Sequence, residues 1–171
     1  LAGASYLAGA GTQNAALAFG GNPYASCTQE YDGASWSAGG TGLTGRKQLG
    51  GTGTQNAALA FGGYTYSDCT QEYNGTVWSA GGTGLAGRKS LAGAGTQNAA
   101  LAFGGTPYNT CTQEYNGTSW SAAPANLNTG RHALGGAGTY TAALGFGGNA
   151  DPSTAVTEEW NGVSWVEVAD L

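Results

Sequence analysis

The sequence predicts an all-β propeller of four blades, each a sheet of four antiparallel strands, in one domain spanning residues 1–171. Three observations predict it: a repeat with a period of 42 residues, short strand-like segments inside every repeat, and regular punctuation by glycine and aromatic residues. Leu7-Ala-Gly-Ala-Gly-Thr-Gln-Asn-Ala-Ala-Leu-Ala-Phe-Gly-Gly21 recurs letter for letter from Leu91 to Gly105. It returns with two changes from Leu49 to Gly63 and in divergent form from Leu134 to Gly148. Cys27-Thr-Gln-Glu-Tyr31 recurs at Cys69 and Cys111 and becomes Val156-Thr-Glu-Glu-Trp160, and each copy then reaches Trp36, Trp78, Trp120 or Trp165. The blades are therefore expected at about 1–42, 43–84, 85–126 and 127–171.

Within a unit, Leu7 to Thr12 reads as the innermost strand, because alternating glycine and alanine let sheets crowd an axis where large side chains would collide. Gln13-Asn14 is its turn. Ala15-Ala-Leu-Ala-Phe19 is apolar on both faces, as a strand sandwiched between neighbouring sheets should be, and Gly20-Gly21 stops it. Cys27 to Tyr31 is the third strand. Asp32-Gly33, Asn74-Gly75, Asn116-Gly117 and Asn161-Gly162 supply the dipeptides of a two-residue type I′ hairpin before the tryptophan strand at the perimeter. Glycine costs about 1 kcal/mol relative to alanine inside a helix, so a helical repeat is disfavoured.

Composition narrows the function classes. Glycine makes up 33 of 171 residues without a three-residue period, which excludes collagen, and the aromatic content argues against a disordered tail. No apolar run reaches 18 residues, so no membrane-inserted helix is expected. A net charge of −5 with only five basic residues argues against nucleic acid as a partner. The chain opens at Leu1 with no signal-like segment, so any targeting segment is expected to be absent or already removed.

Cys27, Cys69 and Cys111 share one register on separate blades, too far apart to pair, and are expected to be small buried hydrophobes. With His132 the only histidine, no metal or cofactor is expected and no catalytic residue is assigned. Glu30, Glu72, Glu114 and Glu159 recur once per blade, which suggests a shared structural role over acid–base chemistry. Arg46, Arg88 and Arg131 recur likewise, with Ala4 in the first unit, and are expected to bridge a strand glutamate and tie adjacent blades together.

The double glycine, then a tyrosine, then a tryptophan after a short hairpin resembles the kelch repeat. Gly20-Gly21, Tyr31 and Trp36 carry the resemblance, as do their counterparts in units two and three; the fourth has Trp160 in place of tyrosine. The compact form is similar to repeats in bacteriophage tail-fibre and other appendage proteins, which implies a virion or cell exterior. Leu1, Leu43, Leu85, Leu127 and Leu171 hold equivalent positions, so the chain contains four whole units. Closure into a four-bladed ring is favoured over membership of a larger ring completed by further repeats or another chain.

Strand parity divides the propeller into two faces. Nearly invariant turns occupy one; the other carries the variable loops after the second and fourth strands. On that second face Tyr24, Tyr66 and Tyr108 recur with the blades, accompanied by Asn22, Tyr64 and Asp151, and Arg46 and Arg88 are expected to emerge nearby. Aromatic rings and polar groups on a rigid scaffold suit a surface glycan or a protein partner. The expected function is a non-enzymatic interaction module; an architectural scaffold forming a homo-oligomer or part of a virion is the rival.

Overall fold

The computed structural model describes residues 4–65 and 67–171. Four sheets of four antiparallel strands, each in sequential order, form a four-bladed β-propeller, with no helix among the described residues. Blade 1 contains β1 (Ala8–Thr12), β2 (Ala15–Phe19), β3 (Thr28–Tyr31) and β4 (Trp36–Ala38). Blade 2 contains β5 (Gly50–Thr54), β6 (Ala57–Phe61), β7 (Thr70–Tyr73) and β8 (Trp78–Ala80). Blade 3 contains β9 (Ala92–Gly95), β10 (Ala100–Phe103), β11 (Thr112–Tyr115) and β12 (Trp120–Ala122). Blade 4 contains β13 (Gly135–Gly138), β14 (Ala143–Phe146), β15 (Thr157–Trp160) and β16 (Trp165–Val168). The axial strands β1, β5, β9 and β13 succeed one another around the centre, where glycine and alanine line a narrow channel.

The outer hairpins depart from the expected type I′ geometry. That turn needs positive φ at both central residues, whereas only the glycine, such as Gly33 at φ 95°, is left-handed. The preceding side chain supplies the missing order: Asp32 Oδ1 accepts from the Ala34 and Ser35 N–H groups at 2.9 and 2.8 Å, and Asn74 and Asn116 do the same.

Three seams between consecutive blades are built from one set of contacts. The tryptophan of each later blade lies against the phenylalanine of the earlier one, with centroid separations of 4.8 Å (Phe19–Trp78), 5.1 Å (Phe61–Trp120) and 4.8 Å (Phe103–Trp165). Its indole N–H donates to a buried threonine, Thr28, Thr70 or Thr112, at 2.8 to 2.9 Å. Tyr73 donates its hydroxyl hydrogen to Glu30 and Tyr115 to Glu72, both at 2.6 Å, while each phenol oxygen accepts from a glycine N–H, Gly40 or Gly82. Gln55 and Gln97 donate across to carbonyls of the preceding blade. The recurrent glutamates thus serve seams, and the third seam replaces the tyrosine by Tyr140, which bonds Glu114.

Close approach at the axis demands glycine. A Cβ at Gly51, Gly93 or Gly136 would lie 2.6, 2.5 or 2.9 Å from the Cζ of the preceding blade's phenylalanine, below any tolerable contact. At Gly9 the nearest atom is the Leu17 carbonyl oxygen of its own blade, at 3.4 Å. Phe146 does not reach blade 1. Trp36 is 40% exposed where Trp78, Trp120 and Trp165 are 3, 5 and 4% exposed, and Leu144 is 37% exposed where Leu17, Leu59 and Leu101 are at most 1%. Among the described residues, blades 4 and 1 make none of the contacts that define the other seams, so the expected tight closure of four blades on themselves is not what the packing shows.

The same residue type in the same register therefore has two energetic roles. Trp78→Ala or Trp120→Ala should lower stability by about 3–5 kcal/mol through a cavity in a buried seam. Measured at a dilution where the chain is a monomer, Trp36→Ala should cost under about 1 kcal/mol, as a partly exposed side chain does. Denaturant titration of the three variants tests this, and equal losses at all three positions would contradict the open seam.

Candidate functional site

Each axial strand is preceded by a leucine, and each leucine by a residue with left-handed backbone: Tyr6 (φ 59°), Gln48 (57°), Ser90 (55°) and Ala133 (53°). For non-glycine residues this region costs about 1–3 kcal/mol each and persists only where surrounding structure enforces it. Main-chain bonds do so here, since Gln48 N–H donates to Tyr6 O, Ser90 N–H to Gln48 O and Ala133 N–H to Ser90 O at 2.8 to 2.9 Å. These four residues and the leucines after them, with Lys89, Thr106 and His132, line a cavity of about 530 Å³ at the mouth of the axis. It opens on the face of the variable loops. Sequence reasoning missed it because Tyr, Gln, Ser and Ala share no chemistry; the constant leucine one residue later was the available signal.

Around that mouth the loops present aromatic and cationic groups. Tyr24 and Tyr64 meet edge to face at 5.9 Å, and Lys47 Nζ sits 4.7 and 5.0 Å from their ring centroids. Lys89 Nζ lies 4.5 Å from the Tyr64 centroid, so two lysines meet one exposed ring. Lys47 also donates to Asn22 Oδ1 at 3.1 Å. Tyr108 stands apart, 5.5 Å from the His132 ring. Four of the expected residues, Tyr24, Tyr64, Asn22 and Tyr108, thus join this face together with Lys47 and Lys89, whose emergence near these loops the strand order predicts, and with His132, which the sequence did not assign. Asp151 lies on the exposed loop of blade 4, and Tyr66 lies outside the described residues.

Arg46 and Arg88 are not at the surface. Their side chains are 3 and 1% exposed, and burial pulls both guanidinium groups below the usual arginine range. They also do not bridge blades to a recurrent glutamate. Arg46 donates to Gln71 Oε1 and to carbonyls of its own blade, and Arg88 does likewise with Gln113. Arg131 forms an ion pair, but with Glu158 of its own blade, at the register where the other blades carry glutamine. From the loop before each axial strand, the arginine side chain reaches carbonyl and side-chain oxygens of its own sheet. The cysteines also differ from expectation, since Cys27 is exposed and Cys69 and Cys111 are half-buried.

Electrostatics mark the seams. Burial and the hydrogen bond to Glu72 push the Tyr115 phenol up to about 12, and the same causes, with Glu30 and Glu114 as acceptors, raise Tyr73 and Tyr140. Hydrogen bonds from the Ser35 and Ala34 N–H groups hold the Asp32 carboxyl below its ordinary value. Among the described residues no group of three or more His, Cys, Asp or Glu side chains is placed to hold a metal ion, and no helix is long and apolar enough to cross a membrane. No protein-family model matches the chain, and a search for similar curated proteins finds no match.

The protonated phenol is the form the seam uses. Because the folded value for Tyr115 lies above the ordinary 10, its contribution is complete below about pH 10 and is lost as pH rises through about 12. Urea midpoints should fall over that window, and ultraviolet titration should show a late-ionising tyrosine that disappears in Tyr115→Phe.

Proposed function

We propose that this chain is a non-enzymatic structural and interaction module that assembles by adding blades, its partner being a second copy of itself. One observation carries the reading: the exposed faces of blades 4 and 1 hold the two halves of contacts that the chain makes internally, the tryptophan contacts to phenylalanine and threonine three times and the tyrosine–glutamate and glutamine–carbonyl contacts twice. Blade 4 offers exposed Leu144 and Glu159 and half-buried Phe146 in the registers of Leu101, Glu114 and Phe103, with Thr157 buried in the register of Thr112; blade 1 offers Trp36, Tyr31 and Gln13 in the registers of Trp78, Tyr73 and Gln55. Blade 4 of one copy on blade 1 of the other, reciprocated, is a head-to-tail contact that closes a ring of eight blades, within the ordinary propeller range. The double-glycine, tyrosine and tryptophan pattern supports a kelch-like assignment, and its similarity to appendage repeats supports a virion or cell exterior.

Light scattering across a concentration series should give a dimer. Trp36→Glu and Leu144→Glu should each give monomers, and their mixture should re-form one seam because each variant keeps the face the other lacks. A monomer at every concentration of the unaltered chain overturns this reading.

The exposed Tyr24, Tyr64 and Tyr108 around the 530 Å³ mouth favour a second activity, recognition of a surface glycan or protein segment. On a glycan array, binding that disappears in Tyr24→Ala and Tyr108→Ala supports it. Binding unchanged in both variants removes the mouth as the site.

A further inference from the structure

Three blades bury an arginine at one register, and the first does not. The Arg46 guanidinium donates to Ala60 O and Gly62 O at 3.3 Å, to Cys69 O at 2.7 Å and to Gln71 Oε1 at 3.1 Å. Arg88 donates to Ala102 O at 2.8 Å and Gln113 Oε1 at 3.1 Å, and Arg131 to Gly145 O at 2.9 Å and to Glu158. Blade 1 has Ala4 there.

The acceptors remain. Ala18, Gly20, Cys27 and Gln29 are the counterparts of Ala60, Gly62, Cys69 and Gln71, and with Ala4 they line a cavity of about 320 Å³. Gln29 Oε1 is buried without a hydrogen-bond partner, the one glutamine or glutamate oxygen so placed among the described residues. Leaving such an acceptor unpaired costs about 1–3 kcal/mol, so a donor entering the cavity gains that amount in addition to its other contacts. Cys27 and Asn22, both exposed, put the cavity next to solvent.

We propose that this cavity is a binding site for a guanidinium group, carried by a free guanidino compound or by an arginine side chain of another polypeptide. The ligand class follows from the acceptor set. Its main-chain and amide oxygens are spaced for a planar fork of N–H donors, with a cysteine side chain beside them, and the same arrangement holds a guanidinium in blades 2 and 3 with no carboxylate among the partners named. A compact ammonium ion could reach one or two of these oxygens but could not span them. The chain's net charge of −5 draws cations toward it.

Methylguanidinium and N-acetyl-arginine amide serve as probes, with methylammonium as control, and saturable shifts of the Ala25 and Cys27 backbone amides, which line the cavity, in NMR titration as the readout. Methylguanidinium should bind and methylammonium should not. Gln29→Leu should weaken binding about tenfold or more. Ala4→Arg should abolish it, because the chain then fills its own cavity, and should raise Tm by at least about 2 °C. Binding of both probes assigns the site to arginine side chains; binding of methylguanidinium alone assigns it to small guanidino compounds. No saturable binding by the unaltered chain, or undiminished binding by the Ala4→Arg protein, overturns the proposal.

Discussion

The reach of one tryptophan over the preceding blade governs the rest of the architecture. A single sheet of short strands exposes both faces and cannot bury enough apolar surface to be stable alone, so each blade depends on its neighbour. Trp78, Trp120 and Trp165 meet that need in one way, with the ring on a phenylalanine and the indole N–H on a threonine hydroxyl. The tyrosine–glutamate bond reinforces it at part-buried positions, and axial glycines admit the phenylalanine tip. Where this set is unmade, hydrophobic side chains that are buried elsewhere come to the surface.

Repetition makes such departures informative. In a chain of near-identical units, every position has three internal controls, so a residue that differs from its counterparts reports its neighbourhood. Trp36, Leu144 and Gly9 report a missing neighbour. Ala4 and Gln29 report a register without its arginine. Neither conclusion needs any comparison outside the molecule, because the same contacts are completed a few residues away under the same chemistry.

The polar groups divide along similar lines. Arginines that look like surface cations in sequence are internal braces whose terminal nitrogens donate to oxygens of their own blade while each Nε has no partner, and Lys47 and His132, one residue downstream of such arginines, lie against tyrosine rings. One step along the chain separates a buried side chain from a half-buried one. The backbone turns sharply there, with Gln48 and Ala133 left-handed, and the axial cavity is a product of that turn.

Strand order, blade phase and the two-faced distribution of loops were legible in the amino-acid sequence, because periodicity, glycine placement and apolar runs are local properties of the chain. The positions of the tyrosines on one face followed from strand parity for the same reason. Tertiary structure decided the depth of the arginines, the grouping of Tyr24 with Tyr64 and two lysines, the cavity beneath Ala4 and the openness of the last seam. Each of those depends on distances between residues far apart in the chain, and a local pattern states which groups recur without stating which of them meet.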